Sequence, residues 1–253
     1  MSGFFERVVT VTGAGSGIGG EVARELVAAG ARVAALDLNQ EGLEQLAAQS
    51  DGAVLPLVCD VTNETQVSAV LESAASHFGK VDGLVNAAGI VVTAASFLDF
   101  TYEQWERVFR VNTWGSYVTI KHAVPHLQRA GGGSIVNFSS SGGKVSNPFT
   151  APYAASKAAI ISLTRSAALA LAPDIRINSV VPGIIDTAMW QQLNGEFKAM
   201  DVPITMEARA SVTPIGRPGR PDDIAAAVLF LLSNDARFIT GEDLNVSGGQ
   251  VMF

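Results

Sequence analysis

Five glycines fall within eight residues at Gly13-Ala14-Gly15-Ser16-Gly17-Ile18-Gly19-Gly20. They follow the β-branched run Arg7-Val8-Val9-Thr10-Val11-Thr12, and Val22, Leu26 and Val27 come next at helical spacing. The stretch reads strand, glycine turn, helix. Such a turn lets backbone approach a pyrophosphate closely, and the helix N-terminus adds free N–H groups and the positive dipole end. Gly15-x-Gly17-x-x-Gly20 matches a dinucleotide fingerprint. Thr12-Gly13-x-x-x-Gly17-x-Gly19 frames it better, because Gly13 directly follows the strand. The bland alternative is a tight loop without a ligand.

The same alternation continues along the chain. Arg32 to Asp37 reads as a second strand and Val54 to Cys59 as a buried third, closing at Cys59-Asp60-Val61. Val81 to Asn86 is the fourth strand, Gly133 to Phe138 the fifth, Ile175 to Val181 the sixth and Glu242 to Val246 the last. Helices lie between them: Glu64 to Phe78, about Tyr102 to Val111, a run on to Arg129, one to about Ala172, and Asp222 to Leu232. The pattern predicts an α/β fold: a single Rossmann-type, doubly wound parallel sheet of about seven strands over residues 1–253. Residues 188–214 carry Met189, Trp190, Phe197, Met200 and Met206 among polar residues. That length and mixture reads as a substrate lid with an apolar underside, or else as an ordinary connecting helix pair.

Ligands of such sheets gather at the carboxyl ends of the strands. Asp37 ends the second strand about 20 residues beyond the glycines, where an acid accepts both ribose hydroxyls and repels a 2′-phosphate. Neither Leu38 nor Ser16 supplies the arginine an NADP site wants, so the charge favours NAD over NADP. Asp37 also reads as an N-cap for a helix starting near Gln40; Asp60 reads as an adenine partner or as a cap for the helix from Glu64. Asn86-Ala87-Ala88-Gly89 offers small residues against which a nucleotide can lie flat. Asn112 interrupts a helical pattern, where it can bond backbone at a kink and hold a water. His122 and His126 stand four apart, but no third ligand with suitable spacing follows, so no metal is expected and both read as surface or interface residues.

Composition narrows the partners. The net charge of −7 argues against nucleic acid and against an anionic membrane surface. Hydrophobic residues make up 48% and charged ones 16%, which suits a buried parallel sheet, a large subunit interface, or both. Cys59, the one cysteine, rules out an internal disulfide and reads as packing. The first seven residues lack a basic region and a long apolar core, and no apolar run is long enough to span a bilayer. A cytoplasmic protein is the expectation.

Tyr153 and Lys157 carry the chemistry. Four apart on a helix, they stand on one face. Lowering a phenol from a pKa of about 10 by ~3 units takes roughly 4 kcal/mol. A lysine charge about 4 Å away supplies on the order of 4 kcal/mol at an effective dielectric of about 20. One lysine is therefore about enough to make the tyrosine an acid–base group.

Together, Thr12-Gly13-x-x-x-Gly17-x-Gly19, Asn86-Ala87-Ala88-Gly89, Asn112, Ser140, Tyr153-x-x-x-Lys157 and Pro182-Gly183 through Thr187 occur in the order that resembles the short-chain dehydrogenase/reductase family. Ser140 is chosen over Ser139 and Ser141 because it lies thirteen before Tyr153, where the family places its serine. The resemblance implies that Tyr153 is the general acid/base, that Lys157 lowers its pKa and bonds the nicotinamide ribose, that Ser140 positions the carbonyl or alcohol, and that Asn112 holds a water linking Lys157 to solvent. It implies a cofactor lying along Gly13, Ser16, Gly17, Ile18, Gly19, Asp37, Leu38, Asp60, Val61, Asn86, Ala87, Ala88, Gly89, Tyr153, Lys157, Pro182, Gly183, Ile185 and Thr187. It further implies a homotetramer. Asp186 to Trp190 and the ending Asn245 to Gly249 look most like the branch acting on sugar alcohols and diols. The expected activity is hydride transfer between NAD and a secondary alcohol or ketone: a polyol, a diol or a small cyclic alcohol. The rivals are an NADPH-dependent ketoreductase, such as a 3-oxoacyl-carrier-protein reductase, and a non-catalytic dinucleotide sensor.

Overall fold

Strand residues sort by parity onto two faces of one sheet, and that sorting builds the molecule. The computed structural model describes residues 4–211 and 213–253. The start of the leader-free reading, residues 1–3, and position 212 of the 188–214 segment lie outside the described residues. The chain runs β1 (Val8–Thr12), α1 (Gly17–Ala28), β2 (Arg32–Asp37), α2 (Gln40–Ala48), β3 (Val54–Val58), α3 (Glu64–Phe78) and β4 (Gly83–Asn86). It continues with α4 (Tyr102–Phe109), a π-helical turn at Arg110–Trp114, α5 (Gly115–Arg129), β5 (Gly133–Phe138), α6 (Ala151–Leu171) and β6 (Ile175–Pro182). The last elements are α7 (Ala188–Ala199), α8 (Met206–Ser211), α9 (Pro221–Leu232) and β7 (Asp243–Val246).

All strand pairs are parallel, in the order β3-β2-β1-β4-β5-β6-β7. Val9, Val11, Val33, Ala35 and Val85 point to the face covered by α1 and α9, through Val22, Leu26, Ile224 and Val228. Val8, Ala34, Leu36 and Leu84 point to the other face, covered by α3 and α5 through Val67, Leu71, Val118 and Leu127. The order reverses between β1 and β4, which opens a crevice at their carboxyl ends. Arg176 of β6 donates to the carbonyls of Leu231 at 2.9 Å and Ser233 at 3.0 Å, so a guanidinium closes the C-terminus of α9.

Three expectations need correction. The run from Val54 does form a strand, but β3 is at the sheet edge; its residues alternate in burial and Val58 is 52% exposed. Edge position depends on strand order, which the run itself does not encode. The helix caps are Asn39 for α2 and Asn63 for α3, not Asp37 or Asp60. His126 is buried at 8% exposure, with its ring nitrogen 2.8 Å from Arg129, whereas His122 reaches Glu64 at 3.0 Å. Residues 188–214 contain the helix pair α7 and α8. Among the described residues no helix is long and apolar enough to cross a membrane.

Candidate active site

The glycine turn is held open by backbone geometry. Gly13 has φ +70° and Gly17 φ +55°, the left-handed region that favours glycine. A Cβ on Gly19 would lie 2.2 Å from the Gly13 carbonyl oxygen, so the entry to α1 packs against the turn with no side chain between. Ser16 sits at the N-cap of α1 but its hydroxyl makes no capping bond, which leaves first-turn N–H groups free to face a ligand. Asp37 braces the turn: its carboxylate accepts from Gly15 N and from Asn39 N, each at 2.9 Å.

Gly42 belongs to this brace, and the sequence did not mark it. A Cβ there would lie 2.0 Å from the Gly15 carbonyl oxygen. Helix propensity favours alanine over glycine by about 1 kcal/mol, so Gly42→Ala on an isolated helix is stabilising. Here we expect the reverse: a loss of about 1–3 kcal/mol from overpacking, read by chemical denaturation, together with weaker dinucleotide binding. A variant as stable as the parent overturns the close approach.

A cavity of about 790 Å³ runs along the carboxyl ends of the strands. Of the expected residues, it is lined by Gly13, Ser16, Gly17, Ile18, Gly19, Asp37, Leu38, Asp60, Val61, Ala87, Ala88, Gly89, Ser140, Tyr153, Lys157, Pro182, Gly183, Ile185 and Thr187. An acid at one end, a glycine turn at an uncapped helix in the middle, and a tyrosine–lysine pair beyond it fit a nicotinamide dinucleotide laid across the switch point. Thr12 helps shape that floor. Its hydroxyl accepts from Ala88 N at 3.1 Å and donates to Val85 O at 3.4 Å.

Two expected residues stand behind the cavity wall. Asn86, 2% exposed, turns its side chain toward α5: Nδ2 donates to Asn137 Oδ1 at 2.9 Å, and Oδ1 accepts from Thr119 Oγ1 at 2.6 Å. It anchors the strand end instead of lining the cavity. Asn112 lies in the π-helical turn, 1% exposed. Its Oδ1 accepts from Ile90 N at 2.8 Å, and its Nδ2 donates to Ile90 O and to Ser156 Oγ, each at 3.0 Å. It ties the loop after β4 to α6 and is a positioning residue by this geometry. Ser156, its partner, has no signal in the sequence beyond being a small residue beside Lys157.

Tyr153 and Lys157 share one face of α6, with Nζ 5.7 Å from the tyrosine ring centroid. Lys157 is 5% exposed, and Nζ donates to Phe138 O at 2.8 Å. Ser139 Oγ donates to Lys157 O at 2.8 Å and pins α6 to the end of β5. That hydroxyl is engaged, whereas the neighbouring Ser140 faces the phenol and accepts from Gly142 N at 3.1 Å. Burial pushes the Lys157 ammonium down to about 8. Burial likewise holds the Tyr153 phenol above its ordinary value, with Ser140 drawing it down. A lysine charge favours phenolate, and enclosure opposes it. In this structure enclosure prevails, and the ammonium holds a carbonyl.

Beyond Tyr153 the cavity becomes apolar. Met189, Trp190, Leu193, Phe197 and Ile204 line it from α7 and the segment after it. Phe197 is fully buried and packs edge-on to both Trp190 and Phe149. Leu193 and Phe197 cluster with Ala94, which seats α7 on the body. At the chain's end Val251 is buried, while Met252 and Phe253 are exposed.

Known proteins resemble this chain over nearly its whole length. A family model described as enoyl-(acyl carrier protein) reductase matches residues 13–250. The cis-4-hydroxycyclohexanecarboxylate dehydrogenase of Sinomonas cyclohexanicum is 41% identical over 250 residues, 97% of each chain. The 3-oxoacyl-(acyl-carrier-protein) reductase of Thermotoga maritima is 36% identical, covering 97% of this chain and 98% of its own. A crystal structure from Brucella melitensis, described as a short-chain dehydrogenase/reductase of the glucose/ribitol dehydrogenase type, superposes with a TM-score of 0.90 at 33% identity, covering 100% of both chains.

Proposed function

Because this chain belongs to the short-chain dehydrogenase/reductase family, in its alcohol and diol dehydrogenase branch, we propose that it oxidises a small cyclic secondary alcohol with NAD, or reduces the matching ketone. It is an oxidoreductase that uses a nicotinamide dinucleotide. The observation that carries the finer reading is the single cavity joining Asp37, the Ser140–Tyr153–Lys157 cluster and an apolar wall. A relative 41% identical is named for a hydroxylated cyclohexane ring, which suits that wall.

When bound, the dinucleotide supplies the hydride acceptor or donor. The protein does the rest. Tyr153 exchanges a proton between its phenol oxygen and the substrate oxygen. Ser140 donates its hydroxyl hydrogen to that same oxygen and fixes its position. A phenol held neutral by burial is the form that protonates a carbonyl oxygen during reduction. For alcohol oxidation the phenolate is needed, and the charge on Lys157 favours it. Asn112 and Ser156 hold the backbone from which Lys157 acts. Residues 188–214 serve as the lid, excluding water over the reacting atoms. Exposed Trp114 and Tyr117 on neighbouring helix faces support burial against another subunit, in keeping with a homotetramer.

The rival ketoreductase on an acidic carrier protein needs a basic docking surface, which a chain of net charge −7 opposes. Cofactor preference tests the reading at its other end. Asp37→Asn removes the charge while keeping an acceptor for the turn. We expect the ratio of kcat/KM for NAD over NADP to fall at least about tenfold, the usual worth of one charge-assisted contact. An unchanged ratio shows that Asp37 does not reach the ribose.

A further inference from the structure

Three arginines line the cavity: Arg107 and Arg110 of α4 and the turn after it, and Arg209 of α8. Residues 184–211 present Met189, Trp190, Leu193, Phe197 and Ile204 to the cavity, and Arg209 of α8 is the only ionisable side chain among their lining positions. Its guanidinium makes no hydrogen bond or ion pair among the described residues. Arg217 and Arg220, a few residues on, each hold an aspartate. The acid of α7 is engaged elsewhere: Glu196 accepts from Ala94 N and from Gln192 Nε2, each at 2.8 Å. An unpaired, solvent-exposed guanidinium thus lies among the apolar lining residues of this segment.

We infer that Arg209 selects substrates whose ring bears a carboxylate. The inference rests on the reading of the lid end as the substrate end. The guanidinium fork matches a carboxylate bidentately, and the apolar wall accepts the ring that carries it. The chain as a whole repels anions at net charge −7, so any preference for one must be local. Screening decays over about 8 Å at physiological salt, so an arginine among the lining residues counts for more than acids beyond that distance.

Binding, independent of turnover, tests this. Cyclohexanecarboxylate and cyclohexanecarboxamide share a ring and differ in charge. Each is titrated calorimetrically into the NAD-saturated protein, native and Arg209→Gln, at low and high salt. The native protein should bind the acid about five- to thirtyfold tighter than the amide, between the worth of an exposed ion pair and that of a charged hydrogen bond. That ratio should fall to near one in Arg209→Gln and shrink as salt rises. Equal binding by the native protein, no measurable binding of the acid, or a ratio that survives Arg209→Gln overturns the assignment. Oxidation of 4-hydroxycyclohexanecarboxylate is followed separately. If it and its amide are oxidised without preference, the role of Arg209 fails while the dehydrogenase reading stands. If the acid binds through Arg209 but no ring alcohol is oxidised, the role of Arg209 stands while the cyclic-alcohol reading fails.

Discussion

Tyr153→Phe lowers turnover at least ~100-fold, the low end of what a general acid/base contributes, and leaves dinucleotide binding intact. The substitution deletes one oxygen. It keeps the ring that packs beside Gly142 and the helix that carries Lys157, so the fold has no reason to change. The effect should fall on kcat and on kcat/KM alike, because the lost interaction belongs to the transition state. Steady-state rates on a cyclic alcohol, set beside the dissociation constant for NAD, separate the possibilities. A non-catalytic sensor has no rate to lose. An enzyme that turns over unimpaired without the phenol routes its proton elsewhere, and the assignment of Tyr153 fails.

Much of this site could be read from spacing, because the chemistry sits where secondary structure changes. A glycine turn after a strand, an acid at the end of β2 and a tyrosine four before a lysine are local patterns, and the structure brings all three to one cavity. Direction was harder. Asn86 adjoins Ala87 to Gly89 in the sequence, yet strand parity sends it the other way. Val85 faces α1 and α9, Leu84 faces α5, and Asn86 follows Leu84. That alternation is legible in the sequence and places Asn86 behind the wall.

Other features were not legible at all. Ser156 matters because Asn112, 44 positions earlier, bonds to it. Gly42 matters because Gly15 lies against it. Neither contact leaves a local trace. Strand order was likewise silent, since nothing in Val54 to Val58 says which strand lacks a neighbour.

Lys157→Met separates stability from function, and in opposite directions. The lysine is buried, with its pKa pushed down to about 8 from an unfolded value of 10.5. Below about pH 8 both folded and unfolded chains hold the proton, so the folded state bears the full cost of enclosing the charge, about 3 kcal/mol. Between about 8 and 10.5 the unfolded chain keeps its proton while the folded chain sheds it. Stability therefore rises with pH across that window and levels off above it. Methionine has a similar reach and no charge, but it leaves Phe138 O without its donor, a loss of about 1 kcal/mol. The net expectation at pH 7 is a variant more stable by about 2 kcal/mol, whose stability no longer climbs from pH 8 to 10.5. Turnover should fall by about 100-fold, the low end of what a general acid/base contributes, because the charge that favours phenolate is gone. Chemical denaturation at several pH values and steady-state rates check both halves. A less stable variant with the parent's pH slope means that the ammonium is not enclosed as seen here. A stable and active one means that Tyr153 ionises without it.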